Sequence, residues 1–152
     1  MKNTFFKNAF ISASLLVAVG YANFALAHNA GGPIDAGSNN ASATDLAAVS
    51  CFDDGSGTPS RLFAQIKDMS APIPGLLTSF HIYKGTQMTT TTDTVSGDAN
   101  YSAGVSLNGG PGTYYISVSK TDAGVRIFDI IYHCLTSAGD HTGTDISVFQ
   151  VQ

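Results

Sequence analysis

The stretch Gly109-Gly110-Pro111-Gly112-Thr113-Tyr114-Tyr115-Ile116-Ser117-Val118-Ser119 decides the fold. Its first four residues are a dense turn signal. From Thr113 the side chains alternate: Tyr114, Ile116 and Val118 share one face, and Tyr115, Ser117 and Ser119 share the other. A period of two with one apolar face is the mark of a half-buried strand. Thr113–Ser119 is therefore expected as a central strand, covered by the strands around it.

Working outward, the same pattern recurs. Arg61–Lys67 carries Leu62, Ala64 and Ile66 on one face. Leu76–Lys84 turns Leu76, Phe80 and Ile82 inward, leaving His81 and Tyr83 outward. Further strands are expected at Asp45–Phe52, Tyr101–Leu107, Val125–Leu135 and Asp145–Val151, with Thr89–Thr92 as an edge strand because threonine favours extended backbone. In Val125–Leu135 both faces carry large side chains, which predicts cover on both sides. Gly, Pro and Asp clusters separate these runs. The sum is an all-β antiparallel sandwich or jelly roll of seven to eight strands. The acids agree with it: all eleven are Asp and none is Glu, which favours turns over helices.

Residues 1–27 read as a secretory signal peptide: Lys2 and Lys7, an apolar run from Ala9 to Val19, then Ala25-Leu26-Ala27 as a small-x-small cleavage site. Residues 28–43, rich in Gly, Asn and Ala, read as a flexible leader, and residues 44–152 as the sandwich domain. Loss of Lys2 and Lys7 takes the net charge from −4 to −6. An acidic surface with few cations argues against nucleic acid and anionic membranes. No segment after the signal peptide is long and apolar enough to span a bilayer. In an exported chain, Cys51 and Cys134 are expected to form a disulfide, closing a loop of about 80 residues and contributing about 4–5 kcal/mol.

Residues 61–134 resemble the bacterial pre-peptidase C-terminal domain. The resemblance lies in Leu62-Phe63-Ala64-Gln65-Ile66, in Ser79-Phe80-His81-Ile82-Tyr83, and in Pro111 to Val118, where the family carries a similar Gly-Thr-Tyr-Tyr strand after a Gly-rich turn. It implies a β-sandwich exported with, or as part of, secreted proteins, without catalysis of its own. The present chain adds a Cys pair that the pattern does not require, and no attached catalytic domain is expected.

No catalytic signature accompanies this pattern. Without Glu there is no His-Glu-x-x-His zinc motif, and there is no Gly-x-Ser-x-Gly elbow. The expectation is a small exported noncatalytic module, periplasmic or extracellular, that binds a protein, glycan or metal partner and requires no cofactor.

Copper is the alternative, and it rests on His28. Cleavage after Ala27 makes His28 the first residue, and an N-terminal histidine chelates copper through its amine and an imidazole nitrogen. A second imidazole completes such a brace, with His81, His133 and His141 as candidates; Asp129 would orient His133. Asp53 and Asp54, with Asp93, Asp98 or Asp140, are candidate calcium ligands, weighed against solvated turn residues. Tyr83, Tyr101 and Tyr115 are candidates for one aromatic binding face. A fimbria-like subunit completed by a partner's strand is a further alternative, although residues 28–42 lack the alternating large apolars that a donor strand inserts.

Overall fold

The computed structural model describes residues 28–152, and the expected signal peptide at residues 1–27 lies outside the described residues. Nine strands follow in chain order: β1 (His28–Ile34), β2 (Thr44–Phe52), β3 (Arg61–Asp68), β4 (Thr78–Lys84), β5 (Gln87–Asp93), β6 (Val105–Leu107), β7 (Gly112–Lys120), β8 (Arg126–Leu135) and β9 (Gly143–Gln150). They form two antiparallel sheets, ordered β1-β8-β3-β6 and β5-β4-β7-β2-β9. The all-β sandwich read from the sequence is thus the observed fold.

β7 is the central strand of the five-stranded sheet. Its inward Tyr114, Ile116 and Val118 are buried beside Val49 and Ala47 of β2 and beside Ile82 and Phe80 of β4. From the other sheet, Leu62, Ala64 and Ile66 of β3 and Phe128, Ile130 and Tyr132 of β8 close the core. The turn before β7 is tied down by Tyr114. Its hydroxyl donates to the carbonyl of Gly110 at 2.7 Å and accepts the Gly109 N–H at 3.1 Å. Gly110 and Gly112 have φ of 66° and 104°, a region that side chains disfavour.

Three expectations about the strands differ from what is found. Residues 28–43 are not a free leader, because His28–Ile34 pairs with β8 along its whole length. Its side chains did not announce a strand; the partner's backbone supplies the pairing. The outer face of β8 is not covered by another layer: Ile127 is exposed, and Asp129, Ile131 and His133 are half-buried. The strand expected over Tyr101–Leu107 is confined to Val105–Leu107.

Cys51 and Cys134 form the expected disulfide across 83 residues, with Cα atoms 5.5 Å apart. It joins β2 of one sheet to β8 of the other. Such a bond marks an oxidising, non-cytoplasmic environment. Among the described residues no helix is long and apolar enough to cross a membrane.

Two buried ion pairs hold the opposite end. Lys120 Nζ lies 2.8 Å from Asp35 Oδ2 and also donates to the carbonyls of Asn40 and Asp122. Arg126 Nε lies 3.0 Å from Asp68 Oδ2, off the N–H direction, as an ionic contact rather than a hydrogen bond. The rest of the guanidinium donates to the carbonyls of Ala71 and Leu76 and to Ser96 Oγ.

Candidate metal centre

β1 begins at His28, opposite Tyr132 of β8. One residue further along β8 is His133. Beyond β8 the chain turns through Thr136–Asp140 and returns, so that His141 bridges Leu135. The returning segment runs along the same edge of β8 as β1. Three histidines distant in sequence thereby meet at one corner of the sandwich. One nitrogen from each of His28, His133 and His141 lies within 4.8 Å of the other two.

The geometry within the cluster is specific. His133 Nδ1 and His141 Nε2 are 2.9 Å apart, one donating and the other accepting. Their rings meet edge to face at 4.9 Å, while His28 stacks on His141 with centroids 5.1 Å apart. Phe63 lies behind the His133 ring and Tyr132 beside the His28 ring, so aromatic walls limit their movement. His28 Nδ1 is buried and has no hydrogen-bond partner among the described residues. Burial of a polar nitrogen without a partner is unfavourable.

Charge follows from burial. His133 is held below the ordinary histidine pKa first by burial, then by the neighbouring His141 and His28. His141 is lowered by burial and by His28, with the carboxylate of Asp54 opposing. These two imidazoles are therefore biased to the neutral form that ligates metal.

His141 is held by its neighbour. Thr142 is fully buried; its N–H donates to the Cys134 carbonyl at 3.0 Å, and its Oγ1 reaches the carbonyls of Gly57 at 2.7 Å and Phe52 at 3.1 Å. This clamp ties the Thr136–Thr142 loop to the turn after β2. Sequence reasoning missed Thr142, since one threonine among many carries no signal of its own.

The other candidates separate. His81 is on β4 of the five-stranded sheet, where its Nε2 pairs with Ser119 Oγ at 2.9 Å. Its Nδ1 is also buried and unpartnered, yet among the described residues it belongs to no group of three metal-binding side chains. The outward reading of His81 was right, but its sheet is the wrong one for the brace. Asp129 does not orient His133; it accepts the Tyr101 hydroxyl at 2.5 Å and lies 3.8 Å from Lys67. Burial, and then that carboxylate, push the Tyr101 hydroxyl up to about 12.

Asp53 and Asp54 close turns rather than converge: Asp53 accepts the N–H groups of Gly55 and Gly57, and Asp54 that of Ser56. Asp93 is buried against the Asp68 N–H, and Asp98 caps Asn100. Among the described residues these carboxylates form no cluster of three, which removes the geometric basis of the calcium reading. Tyr83 and Tyr115 stack at 5.5 Å on the five-stranded sheet, whereas Tyr101 is bound to the four-stranded one, so the three share no face. Compared with protein-family models, with curated proteins and with solved structures, the chain matches none.

Proposed function

We propose that the mature chain is an exported, noncatalytic copper-binding β-sandwich whose metal is held by His28, His133 and His141. The observation that carries this reading is the convergence of three imidazoles at the residue that signal cleavage would make the N-terminus. The unpartnered nitrogen of His28 is Nδ1, the one that closes a six-membered chelate with the amine of the same residue.

His133 Nδ1 and His141 Nε2 are 2.9 Å apart across a shared hydrogen, so a metal that takes both nitrogens displaces that proton and turns the two rings toward a common centre. Nitrogen ligands in a tetragonal arrangement suit Cu(II). One nitrogen from each of the three imidazoles lies within 4.8 Å of the others, so small ring movements bring all three to bonding distance of about 2.0 Å from one ion. An exported disulfide-bonded module agrees with the resemblance to pre-peptidase C-terminal domains, and the absence of Cys and Met ligands from the cluster favours Cu(II) over Cu(I).

The test is Cu(II) titration of a chain that starts at a genuine His28, followed by electron paramagnetic resonance. One-to-one binding with a nitrogen-rich spectrum is expected, lost in His28→Ala and weakened when one residue precedes His28. Binding that keeps the same spectrum in both altered chains would remove the proposal.

A further inference from the structure

A cleft of about 180 Å³, open to solvent on one side, lies between the edge strands β1 and β9, where the two sheets part. Its walls include Ala47, Phe128, Ile130 and Ile146, and β1 roofs it with Ala30 and Gly32. Two polar side chains on its rim are already engaged: Gln150 donates to the Thr44 carbonyl, and Asp45 accepts the Gln152 N–H. The remaining lining is nearly all apolar, so water that enters from the open side finds few partners.

Two adjacent glycines border the space for different reasons. At Gly31 a Cβ would stand 2.3 Å from the Phe128 carbonyl oxygen, so no side chain fits. At Gly32 a Cβ would meet nothing within 4 Å, and the backbone is outside the left-handed region. Glycine weakens a strand interior. Neither contact nor conformation demands it at 32. Gly32 faces inward opposite Phe128, so what its missing side chain preserves is the space itself.

We propose that this apolar cleft is a binding site for one small apolar molecule of about six to ten non-hydrogen atoms, about what a space of this volume accommodates. The site is separate from the histidine cluster and does not depend on the metal reading.

Benzene is the probe, added to the metal-free mature chain with its disulfide intact. Saturable binding is expected, with methyl shifts centred on Ala47, Ile130 and Ile146. At ten times the dissociation constant the midpoint of thermal unfolding should rise by about 5–6 °C. Gly32→Val should weaken binding at least tenfold while keeping the fold. Ala47→Val fills the same space from the facing strand and serves if the first variant does not fold. Non-saturable shifts, or equal affinity in the filled variants, would overturn the proposal. So would a dimer on a sizing column whose cavity methyls ignore benzene, since the occupant would then be a second copy.

Discussion

Thr142→Val is the sharpest probe of how this fold holds its histidines. Valine keeps the volume and removes one hydroxyl from a fully buried position. The hydroxyl serves the Gly57 and Phe52 carbonyls at 2.7 and 3.1 Å. A buried acceptor left without a partner costs about 1–3 kcal/mol, so the loss is about 2 kcal/mol. That lowers the unfolding midpoint by roughly 8 °C in a domain of this size. The N–H of Thr142 still bonds the Cys134 carbonyl, so the strand bridge survives while the turn after β2 is released. His141 then loses its fixed position, and Cu(II) affinity should fall ten- to a hundredfold, as when outer partners of metal ligands are removed. The assay pairs thermal unfolding of the metal-free chain with competitive Cu(II) titration. Thr78→Val is the control: its hydroxyl donates to Asp68 at 2.9 Å at the other end of the sandwich, and its loss should destabilise without touching affinity. If Thr142→Val unfolds earlier yet binds Cu(II) within twofold of the parent, the clamp does not position His141 and the reasoning fails.

Other perturbations test the frame around the site. Asp68→Asn leaves Arg126 buried without its counter-ion and should cost about 3–5 kcal/mol in urea unfolding, whereas a loss under about 1 kcal/mol would show the pair to be dispensable. Asp35 is held well below the usual carboxylate range, first by the Lys120 ammonium and then by the Gly124 N–H. A depressed folded pKa gives stability that is complete above about pH 4 and is lost as pH falls further. Asp35→Asn should therefore flatten the acid limb of the stability profile, and an unchanged slope between about pH 4 and 2 would contradict the assignment. Replacing both Cys51 and Cys134 by serine should cost about 4–5 kcal/mol, from the loop that the bond closes in the unfolded chain. A midpoint unchanged from the disulfide form would show that the two sheets need no staple.

What the sequence revealed depended on whether a residue's role was local. The alternation in Thr113–Ser119 marked β7, because a strand buried on one face writes its period into its own side chains. Two cysteines left one possible pairing. β1 escaped notice for the converse reason: Ala30, Gly31 and Gly32 carry little side chain, and the strand exists because β8 offers a free edge. The same limit applied to the histidines. Alternation placed His81 and His133 on outward faces, but nothing in either strand states which sheet it joins. Asp129 shares a face with His133, yet Tyr101, from a loop across the sheet, takes it first. Asp68 and Arg126, and Asp35 and Lys120, pair across long separations that no periodicity encodes.

The corner where β1 meets β8 and the returning loop explains why a metal site would form there. Among the described residues β1 pairs with β8 as far as Tyr132, and further along β8 the returning loop bridges Leu135 through His141. β1, β8 and the loop therefore meet within one or two residue spacings, each with a histidine. β1 is anchored by side chains mainly at one end, where Ile34 is fully buried and Asp35 meets Lys120. Its middle, over the cavity, holds by backbone bonds. A metal bound to His28, His133 and His141 would add a second anchor at the end that lacks one, linking β1 to β8 and to the loop. Occupancy of the site and protection of the β1 amides from hydrogen exchange should then rise together. Copper that binds but leaves those amides exchanging as before would mean that His28 is not a ligand.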